Sequence, residues 1–196
     1  MSRAVLLALH YQNEVMHGAG RIRLGTGADA ARRERLVAAA HALLAGARAA
    51  SLPIVHVRIA FPIGHEGVAT NAPIFRNVVA SGAMVEGSWG AQFFEGLEPR
   101  EGEAVVTHRR VNAFFDSPLE GALRELDAGR LILAGVATNS VVEHSARHAA
   151  DMGYEVVVAA DACSAADPAV HDAALFNLSL VGEVTTVAAI FPGAGT

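Results

Sequence analysis

At 196 residues, 52% hydrophobic and 18% charged, the chain has the size and composition of one globular domain with a full core. Its formal net charge of -5 is spread without a basic run, which argues against nucleic acid or an acidic membrane surface as a partner. A single cysteine, Cys163, leaves no internal disulfide to form, and no stretch reaches the roughly 18 apolar residues of a membrane span, so a cytoplasmic location is expected.

The first expected strand is Ala4–Leu9, an unbroken apolar run that ends on His10 and continues as Tyr11, Gln12 and Asn13. Asp29–Ala50 then places Leu36, Val37, Ala40, Leu43, Leu44 and Ala47 on one helical face, and Pro53 marks its exit. Ile54–Ile59 is the second strand. Residues 60 to 103 follow as a long connection with Pro, Gly and scattered aromatics, the usual form of a lid or an interface arm. Ala104–His108 is the third strand, Leu119–Leu126 a short amphipathic helix and Arg130–Val136 the fourth strand. Asn139–Met152 reads as one helix closed by Gly153, with Val142, Ser145, Ala146, Ala149 and Met152 as its buried stripe. Tyr154–Ala160 is the fifth strand, Pro168–Val181 a helix capped by Asp167 and ended by Gly182, and Val184–Ile190 the sixth strand.

Alternating strands and helices imply right-handed crossovers and a parallel sheet covered on both faces. No repeat or linker divides residues 1–196, so one domain is expected. Ligands of such sheets sit beyond the carboxyl ends of the strands, where strand order reverses. His10, His108 and the turn after Val136 should therefore share one rim.

Four segments, "AVLLALHYQNEV", "VVTHRRVNAFFDSPL", "LILAGVATNSVVEHSARHAADMGYEVVVAADAC" and "HDAALFNLSLVGEVTT", together resemble the isochorismatase-like hydrolase superfamily. That superfamily includes cysteine hydrolases such as nicotinamidases and N-carbamoylsarcosine amidases. The resemblance runs over nearly the whole chain. It implies a three-layer α/β/α, Rossmann-like fold with a six-stranded parallel sheet, and a homo-oligomer. The family's cysteine hydrolases carry an Asp ending the first strand, a Lys ending the third and a Cys opening the helix after the fourth. His10, His108 and Val141 stand at those positions here. The resemblance also implies a non-proline cis peptide between Val136 and Ala137. The turn of Val136, Ala137 and Thr138 would then aim backbone N–H groups at a substrate oxygen.

Valine has no nucleophilic atom, so a thioester at position 141 is excluded. Ser140 is adjacent but lies about 100° round a helix start, where a capping hydroxyl is the plainer role. Two imidazoles with a reference pKa of about 6.5 could form an acid/base pair, with a protonated His108 holding an oxyanion. Isochorismatases proper, which work without the cysteine, supply the template. One reading is therefore a hydrolase-like enzyme acting on a small molecule by non-covalent acid/base chemistry through His10 and His108. The other is a catalytically inactive relative that binds a small ligand or a partner protein.

Tyr11, Gln12, Phe61, Trp89, Asn112, Phe114 and Ser140 are the expected substrate-pocket residues, with Phe115 a further aromatic. His144 and His148 have metal-ligand spacing but fall off the buried stripe, and His56 reads as a core histidine. The segment "RIAFPIGHEG" lacks the family's Asp-x-His metal cluster, although His65 is near. No metal and no cofactor are expected. Trp89 and the paired Phe of "EGSWGAQFF", residues 86 to 94, suggest an arm that meets a second copy.

Overall fold

The computed structural model describes residues 3–193. Its strands are β1 (Arg3–Leu9), β2 (Ile54–Ile59), β3 (Ala104–His108), β4 (Ala128–Val136), β5 (Glu155–Ser164) and β6 (Glu183–Thr185). They form one parallel sheet in the order β3-β2-β1-β4-β5-β6. The helices are α1 (Asn13–Met16), α2 (Ala30–Ala49), α3 (Pro73–Ser81), α4 (Leu119–Glu125), α5 (Glu143–Asp151), α6 (Pro168–Leu178) and α7 (Val187–Ile190). In the middle of the sheet, Val5 to Leu9 of β1 are buried throughout. Burial on both faces is what makes such a strand read as one apolar run. α2 packs with α7 and α5 with α6, and right-handed crossovers put these pairs on opposite faces.

Strand order reverses beside β1. The chain runs outward through β2 to β3, then crosses back to β4 on the other flank of β1. Leu9 pairs with Val57 on one side and with Gly135 on the other. Gly135 takes φ 147°, and a Cβ there would meet the Leu9 carbonyl oxygen, so only glycine lets β4 lie this close at its end.

Four expectations need correction. Val184–Ile190 is not one strand: β6 stops at Thr185, and Thr186 caps α7 by accepting from the Ala189 N–H at 3.3 Å. The Asp161 carboxylate takes the Val187 N–H at 2.9 Å, which draws the chain off the ladder. Asn139–Met152 is not one regular helix, because the N–H groups of Ser140 and Val142 both donate to the Ala137 carbonyl and make a wide first turn. Met152 lies beyond the buried stripe and is 37% exposed. Finally, β5 runs to Ser164 through an irregularity in its pairing with β4, so Cys163 lies inside the strand, opposite Gly135.

Candidate active site

β1 delivers His10 to the carboxyl edge of the sheet. Its N–H makes one more ladder bond, to the Val57 carbonyl at 2.8 Å. The chain then turns at φ 55°, a left-handed conformation uncommon in residues with a Cβ. β3 ends on His108, in register with Ile59 of β2. Neighbouring strands lie about 4.8 Å apart, so β1 and β3 start about 10 Å apart. The two side chains close that gap across the end of β2. Nε2 of His10 meets Nε2 of His108 at 2.5 Å, with ring centroids 4.8 Å apart.

A contact between two ring nitrogens holds one proton. Which ring donates depends on the tautomer, and the Val136 carbonyl beside His10 and the Asn112 carbonyl beside His108 each favour a protonated ring. The buried Nδ1 of His108 is without a hydrogen-bond partner. Burial, and after it the neighbouring His108, hold His10 well below the ordinary histidine value. Burial brings His108 down to about 4, against a smaller opposing pull from the Asn112 carbonyl. Both rings are neutral at pH 7, and His108 has no charge to offer an oxyanion there.

Beside His10 a small cleft opens at the sheet edge. Ile22 and Leu24 come to its wall from the loop after α1, Phe61 from the end of β2, and Ile74, Phe75 and Val78 from α3. His10, Ser140 and Arg110 are the polar side chains of an otherwise apolar lining. Val136 and Ala137 also line it, and the peptide bond between them is cis. Thr138 does not: its hydroxyl pairs with His171 Nδ1 at 2.8 Å. Neither His108 nor Val141 reaches the lining; each is 1% exposed, His108 behind His10 and Val141 in the core.

Of the residues expected to form the substrate pocket, Phe61 and Ser140 face the cleft and the others are engaged elsewhere. The Tyr11 hydroxyl donates to the Ala162 carbonyl at 2.6 Å. The Gln12 amide donates to the Ile59 and Ala91 carbonyls and accepts from the Ile59 N–H, tying the end of β2 to the following arm. Asn112 accepts from the Phe114 N–H at 2.9 Å, and Phe114 stacks on His148. Trp89 is half exposed and lies edge-on to His17. Phe115 and His144 face solvent. His65 is held by the Ala83 carbonyl. Among the described residues no group of three or more His, Cys, Asp or Glu is placed to hold a metal ion.

Sequence reasoning missed Arg110 and the whole α3 wall. The signal for α3 was present: Pro73 at the first helical position and Gly82, φ 63°, at the end bracket it. Arg110 carried no such mark.

The isochorismatase domain family matches residues 4–189. The secreted isochorismatase effector Isc1 of Verticillium dahliae is 35% identical over 139 residues, 70% of this chain and 65% of that protein, so less than two thirds of that relative is spanned. The ureidoacrylate amidohydrolase RutB of an Enterobacter strain is 29% identical over 199 residues, covering 94% of this chain and 86% of RutB. An isochorismatase family protein from Desulfovibrio vulgaris superposes with a TM-score of 0.83 at 25% identity, covering 97% of both chains. No helix among the described residues is long and apolar enough to cross a membrane. With its six-stranded parallel sheet and a match that spans nearly its full length, the chain belongs to the isochorismatase family.

Proposed function

We propose that this chain is a cytoplasmic, homo-oligomeric, hydrolase-like enzyme that acts on a small molecule through His10 and His108, without a cysteine nucleophile. The observation that carries the reading is the direct contact of two buried ring nitrogens, 2.5 Å apart, at the inner end of an apolar cleft. Val141 then stands where the family's cysteine hydrolases keep their nucleophile, so water is the attacking group. Water in the cleft displaces His108 from His10 Nε2, and that lone pair takes the water's proton as the new bond forms. His108, in the tautomer with an unprotonated Nε2, accepts from the imidazolium until His10 returns the proton to the leaving group. A neutral base suits attack on a carbonyl better than protonation of an enol ether at pH 7.

A panel of vinyl ethers, amides, ureas and lactones tests this. His10→Asn and His108→Asn should each lower kcat about 100-fold with an unchanged circular dichroism spectrum. Activity should be flat near neutrality and fall as the pH approaches about 4, where His108 takes up a proton. Turnover retained in both variants would make the histidines structural.

One observation favours the second reading, an inactive relative that binds a small ligand or partner. In the paired arrangement His10 Nε2 is engaged by His108 and is not free towards the cleft. Under that reading nothing in the panel turns over, and the substitutions change affinity alone. Assembly through residues 86–94 is read from the half-exposed Trp89. A monomer at micromolar concentration by light scattering would exclude it.

A further inference from the structure

Arg110 lies two residues beyond His108, on the wall of the cleft that holds His10. Its guanidinium carbon sits 4.1 Å from the centre of the Phe75 ring. One terminal nitrogen donates to Asn71 Oδ1 at 3.2 Å. Seven of the fifteen arginines, at positions 21, 32, 48, 58, 124, 130 and 147, have a carboxylate within 4 Å, and eight have none among the described residues. Arg110 is one of those eight. It is a cation over an aromatic face, with no counter-ion among the described residues, at a cleft whose other walls are almost wholly aliphatic and aromatic.

We propose that Arg110 makes this cleft a receptor for the carboxylate of a compact apolar acid. Phe75 and Asn71 Oδ1 hold the guanidinium in place, and its remaining N–H groups can meet a carboxylate with two parallel N–H···O bonds. The apolar walls take the hydrocarbon or aromatic body. A substrate tethered at Arg110 lays its remaining functional group along the cleft towards Ser140 and His10. This names the substrate class of the site proposed above. It depends on that reading only in treating the cleft as the site.

Calorimetry with phenylacetate and the neutral phenylacetamide separates the two ideas, because neither probe need react. The acid should bind wild-type protein at least ten-fold more tightly than the amide. Arg110→Gln should abolish that preference, and Arg110→Lys, which keeps the charge without the fork, should restore part of it. His10→Asn should keep the preference for acid over amide whatever it does to the absolute affinity, so a failed catalytic reading leaves this one standing. Equal binding of acid and amide, no binding of the acid at millimolar concentration, or an Arg110→Gln variant that keeps the preference would each overturn the proposal.

Discussion

His56, in the middle of β2, and His108, at the end of β3, are buried imidazoles on neighbouring strands with different company. His56 Nε2 bonds to Glu103 Oε2 at 2.7 Å. Glu103 also receives two bonds from Arg48, at 2.7 and 2.9 Å, and the Arg100 N–H at 2.8 Å. Burial alone would raise the Glu103 carboxyl, but Arg48, the Arg100 N–H and His56 hold it down to about 2. Burial lowers His56, and Glu103 offsets part of that. His108 has only another imidazole. Each histidine leaves Nδ1 without a partner. The difference is location and charge: the His56 cluster joins α2, β2 and the start of β3 with its charges paired, while the His10–His108 pair has no carboxylate and adjoins a cleft. A buried histidine paired with a carboxylate sits beside a fixed counter-charge, whereas one paired with another imidazole at a strand end has none.

Removing the carboxylate tests the contrast most severely. Glu103→Gln leaves Arg48, mostly buried, without its anion, and breaking such a pair costs about 3 kcal/mol or more. Urea denaturation at pH 7 should show that loss, while activity per folded molecule stays unchanged. A loss below about 1 kcal/mol would put the pair among ordinary surface salt bridges and remove the contrast.

Acid should separate the clusters by their pH windows. Histidine in the unfolded chain titrates at about 6.5. Between there and about 4 the unfolded state takes a proton that folded His108 refuses, so stability falls as the pH is lowered through this window. The loss attributable to His108 is about 3 kcal/mol, and His10 and His56 add to it in the same direction. Glu103 works lower. Its contribution is present above the unfolded carboxylate value and is lost as the pH falls towards about 2. The double variant His10→Asn, His108→Asn should flatten most of the slope between pH 6.5 and 4, measured by denaturation at a series of pH values. An unchanged slope would mean that the pair is solvated and charged.

What the sequence made legible follows the same division. β2 and β3 fall on their expected limits, although β3 is an edge strand with Val105 half exposed, because each is a short Val-rich run that begins on an apolar residue after a turn. Edge strand β6 is short and pairs on one side only, so its boundary depends on the Thr186 cap and on Asp161, which no hydrophobic pattern reveals. The meeting of His10 and His108 was readable because parallel topology puts both strand ends on one rim. Tyr11 and Gln12 were not, since a residue just past a strand end can point either way, and both point into the fold. The cleft wall was least legible. It depends on how residues 60 to 103 carry α3 across the rim, a path that no periodicity sets.

The smallest expected effect is the absence of one. Val141→Cys places a thiol at the position that the resemblance assigns to a nucleophile, next to Ser140 of the cleft wall. A reactive cysteine needs a lowered pKa, which comes from a nearby cation or a suitable base. The His10–His108 pair is neutral and turned inward, and it has no carboxylate of the kind that holds His56. The protein contains its own comparison in Cys163, a buried thiol pushed up to about 12 chiefly by burial. Val141 is 1% exposed, so a thiol there should also shift upward from about 8.5 rather than ionise. The variant should therefore turn over neither nicotinamide nor N-carbamoyl compounds, and the slightly smaller side chain should cost about 1 kcal/mol of stability. Efficient amide turnover, or rapid alkylation of the new thiol at pH 7, would show that the imidazole pair can make and hold a thiolate. The two histidine clusters would then differ less in electrostatics than in what stands beside them.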